Sequence, residues 1–182
     1  MKNGTITTTH SPRPVTAPAM AASASLAHCG ALIACLPASV YSKPSVVISG
    51  STIGQHVRHA LDHFAAALMA LDGATIDYDH RERETPIERD PAEALQLISR
   101  LRDRLASVDD EAGSAAARVR IMLSAAGDEA ELGSTLGREL AFAAHHATHH
   151  HAMIGAIARE HGAAVPAEFG KAPSTLNHEG RR

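Results

Sequence analysis

An all-α fold, a four-helix bundle with a small β-hairpin before its last helix, is predicted by three features of the sequence. Alanine is abundant, while the aromatic residues are confined to Tyr41, Phe64, Tyr78, Phe142 and Phe169, a balance that suits close-packed helices better than a sheet. Apolar residues recur at spacings of three and four through the long segments, and proline, glycine or capping residues separate those segments. At 182 residues the chain has the size of one domain that buries a core without metal or disulfide support.

Residues 1–18, rich in Thr, Pro and Ser and without periodicity, read as a disordered lead. The bundle is then expected over 19–170, with an irregular tail over 171–182. Ala19 to Leu36 forms the first helix, stopped by Pro37, and Pro37 and Pro44 make an extended linker as far as Val47. Ser49-Gly50-Ser51 offers caps for the second helix, whose Ile53, Val57, Leu61, Phe64, Leu68 and Leu71 share one face and which Gly73 ends.

The charged segment from there to Asp90 is long for a connection in a compact domain. Such a loop is either mobile or functional: a charge run is more often a solvated loop, and in the functional alternative Tyr78, Asp79, His80, Arg81, Arg83 and Glu88 fold over a site. Asp90 caps and Pro91 opens the third helix, carried by Leu95, Ile98, Leu101 and Leu105 and fading near Val108. Arg118 to Leu123 alternates as a strand, Ala126-Gly127-Asp128 turns, and Glu131-Leu132 pairs back. Ser134 or Thr135 caps the fourth helix, which runs to about His161 and stops at Gly162. Pro166, Gly170 and Pro173 then predict irregular chain laid over the bundle.

Net charge is −3, with 17 basic and 20 acidic residues interspersed, so the basic footprint of a nucleic-acid binder is missing. Cys29 and Cys35, six apart in a helix, do not suit a disulfide and read as buried small residues. Leu32-Ile33-Ala34-Cys35 resembles a lipoprotein cleavage site, but mostly polar residues precede the apolar run, His28 interrupts it and Arg13 lies between two prolines. A cytoplasmic protein is expected. No stretch of about 20 uninterrupted apolar residues is present to span a membrane.

The stretch HHATHHHAM, His145 to Met153, places histidines inside the fourth helix. Rotating by about 100° per residue brings His150 to within about 40° of His146, with Phe142, Met153 and Ile157 around them. These two rings therefore look into the bundle, at the spacing a divalent cation needs for two ligands from one helix. His145 and His151 turn away and His149 lies at the margin, so all three are expected as solvated surface rings. The second helix supplies another cluster, His56, His59 and His63, beside Gln55 and Asp62. Two helices of one bundle presenting imidazoles is the way bundles build metal sites. The helical wheel does not select the third ligand, since His56 and His63 lie nearer the apolar edge than His59.

The stretch Ser51 to Asp62, in which His59 is followed by small Ala60 and, after Leu61, by acidic Asp62, and the stretch His146-Ala147-Thr148-His149-His150-His151-Ala152-Met153-Ile154 carry a resemblance. In these motifs, and over roughly Ala19 to Phe169, the sequence resembles the DinB/YfiT-like superfamily of metal-binding four-helix bundles. The resemblance implies His59, His146 and His150 as ligands, with His63 as the alternative from the second helix. Ser51 stands where the family often has tryptophan, and Ala152-Met153 where it often has Gly-Gln.

Characterised relatives include transferases and isomerases that use low-molecular-weight thiols and a domain of sulfoxide-forming enzymes. The resemblance thus implies a metal-dependent thiol S-transferase, of glutathione type, or a hydrolase, acting on a small molecule and pairing as a homodimer. Three imidazoles suit zinc, nickel, iron or copper, with zinc or nickel expected. Glu139, about 20° from His146 on the wheel, is the candidate general base or partner to an imidazole; a salt bridge involving Arg138 is the alternative. Two other classes fit the same residues: a non-catalytic metal-binding or stress-response bundle, and a structural dimer whose inward histidines are neutral and hydrogen-bonded.

Overall fold

The computed structural model describes residues 14–80, 82 and 84–181. Most of the lead, together with Arg81 and Arg83, lies outside them. The first long helix, α1 (Ala17–Cys35), starts two residues earlier than the apolar pattern implies, because Thr16 Oγ1 accepts from the Ala19 amide and Pro18 sits in the first turn. It ends at Leu36, ahead of Pro37, and a short turn of helix, α2 (Ala38–Tyr41), follows.

The next long helix, α3 (Ile53–Leu68), is capped by Thr52 rather than by Ser49 to Ser51. Thr52 Oγ1 accepts from the Gln55 amide at 3.1 Å while the Gln55 side chain accepts from the Thr52 amide at 3.0 Å, a reciprocal box that satisfies two otherwise orphaned donors. Ser49 and Gly50 have positive φ and form a turn instead. A 3-10 turn over Met69–Asp72 extends α3 to Gly73, whose φ of 74° ends it in the left-handed region. After the charged loop, α4 (Pro91–Leu105) is capped by Asp90, which accepts from the Ala92 amide at 2.8 Å. A short helix α5 (Asp110–Ser114), capped by Asp109, precedes the strands.

The strands differ from expectation. A hairpin of β2 (Ala116–Met122) and β3 (Glu129–Thr135) forms as predicted, but β1 (Ile76–Asp77), from the charged loop, adds a parallel strand to β2, in the order β1-β2-β3. The fold is therefore mostly helical with a small three-stranded sheet. Two residues are too few to show a period of two. Tertiary burial holds β1 in place: Ile76 and Tyr78 pack with Ala117 and Val119 in a small second core.

The last long helix, α6 (Leu136–Glu160), is capped by Thr135 and ends before Gly162. The tail is not irregular throughout, because Pro173 opens a final helix, α7 (Pro173–Glu179), steadied by Lys171 and Glu179 at 2.7 Å.

Helix α1 packs on α4 and α6, and α3 packs on the same two. Leu26, Ile33, Ile53, Leu61, Phe64, Leu68, Leu136, Leu140 and Ile154 are buried between them, and each such side chain contributes about 1.5–3 kcal/mol. Fully buried Ala22, Ala60, Ala143 and Ala147 let the helices approach closely. By length and composition α1 is apolar enough to cross a membrane, contrary to the sequence reading. Its Ala19, Ala22, Leu26, Cys29, Leu32 and Ile33 are in the core. Cys29 is buried as expected but Cys35 is exposed, since α1 turns that face outward.

The charged loop is pinned to α3. A Cβ at Gly54 would lie 2.0 Å from the Glu88 carbonyl oxygen, so only glycine permits this approach. Nearby, buried Arg58 bridges Glu88 at 2.7 Å and Asp62 at 2.8 Å and donates to the Glu82 carbonyl at 2.9 Å.

Candidate metal centre

The facing sides of α3 and α6 bring the imidazoles together. His59 lies one turn after His56 and one before His63, while His146 and His150 are one turn apart on α6. Nε2 of His146 is 3.0 Å from Nε2 of His59 and 3.0 Å from Nε2 of His150. The ligand atoms of His59, His146 and His150 all lie within 4.8 Å of one another.

This donor set fits a metal ion. A neutral imidazole nitrogen carries either one hydrogen or one lone pair, so Nε2 of His146 cannot satisfy two ring nitrogens at hydrogen-bond distance. Nitrogens held at about 2.1 Å by one ion stand roughly 3.0–3.4 Å apart, and the two contacts of His146 Nε2, each 3.0 Å, have that spacing. A cation among them turns mutually opposed lone pairs into ligands.

His63, the alternative ligand, has a different environment. Its Nδ1 lies 3.0 Å from the His59 carbonyl oxygen, to which it donates. Its ring stacks on His146 with centroids 4.0 Å apart and on Tyr78 at 4.9 Å. His56 approaches the cluster from the other side, its Nδ1 3.1 Å from Nδ1 of His150. Burial, and then the nearby His59, His146 and His56, lower the pKa of His150 far below its usual range. Burial, and then His149, also lower that of His56. Both rings are therefore neutral at pH 7.

Glu139 is buried at the start of α6, and both of its oxygens are engaged. Tyr78 donates at 2.7 Å to one, and Ser134 at 2.5 Å and Arg138 at 3.1 Å approach the other. Its connection to the imidazoles runs through Tyr78, which stacks on His63. The Arg138 contact is within the chain. Burial, and then the hydrogen bond to Glu139, push the Tyr78 phenol well above its ordinary pKa, so it stays a donor.

Of the remaining loop residues, Glu88 anchors the loop on Arg58. Asp79 accepts from the Met122 amide at 2.7 Å, and exposed His80 pairs with Asp77 and Glu129 on the sheet. Among the described loop residues, Tyr78 alone stacks against a histidine of the cluster. Phe142, placed inward by the wheel, is 39% exposed and stacks on His146 at 5.9 Å. A cleft of about 300 Å³ lined by Tyr78, Ile121, Leu132, Ser134, Arg138 and Phe142 adjoins this stack.

One histidine of α6 lies where the wheel does not place it. His151, expected in solvent, is buried because the chain after α6 folds back over it, and Phe169 stacks on its ring at 5.1 Å. Gly170, with φ 80°, permits this, since a Cβ there would stand 2.6 Å from the Ala152 backbone. His145 and His149 are exposed as expected. The contact of His56 with His150 and the bond of Tyr78 to Glu139 were not foreseen; the one sign of the latter is a lone aromatic in a charged loop.

A family model described as the DinB superfamily matches residues 23–154. FK506-binding protein 5 of Rhizopus delemar is 36% identical over 108 residues, which cover 57% of this chain and 27% of the relative. The chain thus spans about a quarter of that protein's length. No solved structure matches.

Proposed function

The chain belongs to the DinB superfamily, and on that premise we propose that it is a metal-dependent enzyme whose divalent ion is held by His59, His146 and His150. The observation behind this reading is the approach of those three imidazole nitrogens to within 4.8 Å of one another across α3 and α6. The packing of α1, α3, α4 and α6 about one core supports a four-helix bundle as the frame. Zinc or nickel suits three neutral imidazoles, and three protein ligands leave coordination open for water or substrate, as in catalytic sites.

The reaction proposed is thiol S-transfer, of glutathione type, or hydrolysis of a small molecule. A divalent ion held by His59, His146 and His150 would lower the pKa of a thiol or water bound to it and so would supply a nucleophile at neutral pH. The chain's own residues shape what reaches it. His63 and Phe142 stack on His146 and exclude water from its flanks. Tyr78, Leu132 and Phe142 give the adjoining cleft apolar walls, and its volume suits a small substrate. Glu139 holds Tyr78 against His63 and acts on the site through it. A cytoplasmic homodimer completes the proposal.

Elemental analysis of untagged protein after loading with zinc or nickel is expected to give one ion per chain, lost on His146→Ala. Failure to retain stoichiometric metal overturns the reading. Loaded and stripped protein are then compared for turnover of low-molecular-weight thiols with electrophiles. Retained metal without turnover across thiols and esters would assign the protein to the non-catalytic, metal-binding or stress-response alternative.

A further inference from the structure

A chain of contacts starts in the turn before α3 and ends at the imidazole cluster. Ser51 Oγ donates to the Ile48 carbonyl oxygen at 2.7 Å and lies 3.0 Å from Nε2 of His56. Nδ1 of His56 lies 3.1 Å from Nδ1 of His150, and Nε2 of His150 lies 3.0 Å from Nε2 of His146. A hydroxyl has one hydrogen, and a carbonyl only accepts. The Ser51 hydrogen is therefore committed to Ile48, and Ser51 Oγ accepts from Nε2–H of His56.

The rest follows from the tautomers of neutral imidazole. With its hydrogen on Nε2, His56 has a lone pair on Nδ1, so His150 donates from its own Nδ1. With its hydrogen on Nδ1, His150 has its lone pair on Nε2, the atom that faces His146. The opposite tautomer of His150 would set two lone pairs against each other across 3.1 Å and turn an N–H toward the cluster.

We infer that His56, fixed by Ser51, is a positioning residue that sets the tautomer of His150 and keeps its Nε2 lone pair aimed at the shared centre. The tautomer is set by hydrogen bonds within the chain, so it exists before any ion binds. Its consequence for affinity rests on the metal-binding reading above. Helix α3 then has two tasks: His59 contributes a nitrogen to the cluster, and His56, one turn earlier, supports a nitrogen contributed by α6. Removing such a support from a ligating histidine typically weakens metal binding 10- to 100-fold.

Long-range proton–nitrogen NMR correlations on metal-free protein report the tautomers directly, with resonances assigned through His56→Asn and His150→Gln. The expected result is a protonated Nδ1 and an unprotonated Nε2 on His150, and the reverse on His56. By chelator competition, His56→Leu is expected to bind zinc roughly 10- to 100-fold more weakly, while His56→Asn, whose Oδ1 still accepts, recovers most of the loss. A wild-type His150 protonated on Nε2 overturns the inference, as does a folded His56→Leu with zinc affinity within about twofold of wild type. A wild-type protein that binds neither zinc nor nickel defeats the metal-binding reading instead, and the tautomer spectra then decide the positioning role alone.

Discussion

The buried ring of His151 gives the folded protein an acid sensitivity whose size follows from its surroundings. The residue is 6% exposed and stacked on Phe169. Burial, and then the neighbouring His28, bring its pKa down from 6.5 to about 4. In the unfolded chain the ring takes up its proton near pH 6.5. Between those two values the unfolded state binds more protons than the folded one, so stability rises with pH. The contribution is fully present above pH 6.5 and is lost as pH falls toward 4. In full the depression corresponds to roughly 3 kcal/mol, of which the step from pH 7 to pH 5 removes about 2 kcal/mol. Urea unfolding of metal-free wild-type and His151→Leu protein at the two pH values measures it. His56 and His150 titrate in both proteins and cancel in the comparison. Wild type is expected to lose about 2 kcal/mol more than the variant. Equal losses would refute the argument, because they would mean that the ring is hydrated in the folded chain.

Three further outcomes are expected. Zinc or nickel at 100 times its Kd adds about 2.7 kcal/mol to the folded state; for a chain of 182 residues calorimetry should show Tm rising by about 7 °C, with no rise in His150→Ala. Arg58→Leu leaves buried Glu88 without its cation and is expected to cost about 3–5 kcal/mol in denaturant unfolding, most of it recovered when Glu88→Leu is added. Tyr78→Phe removes the 2.7 Å donor to buried Glu139 and is expected to cost about 1.5–3 kcal/mol by the same assay; an unchanged midpoint would mean that Glu139 finds another donor.

The helices were legible because their ends are local chemistry. Asp90 with Pro91, Thr135, and Gly73 and Gly162 act within one turn of their own position. What escaped depends on partners distant in sequence. The strand β1 is too short for a pattern and is held by β2, some forty residues on. His151 is buried by Phe169, which follows the end of α6 and owes its approach to Gly170. A wheel drawn for one helix assigns faces relative to the other long helices and is blind to chain that returns over the outer side.

The same limit applies to the histidine cluster. Each helix alone shows its spacing, so His146 and His150 were selected by the periodicity of α6. The choice among His56, His59 and His63 depends on how far α3 is rotated and slid against α6, which no periodicity in α3 encodes. The structure separates the three by what each second nitrogen or ring face meets. His63 donates to the His59 carbonyl and lays its ring on His146 and Tyr78, and His56 is tied to Ser51 and to the far nitrogen of His150. His59 directs Nε2 at Nε2 of His146. The α3 histidines thus divide into one facing nitrogen, one stacked ring and one support, and that division is a property of the interface between two helices.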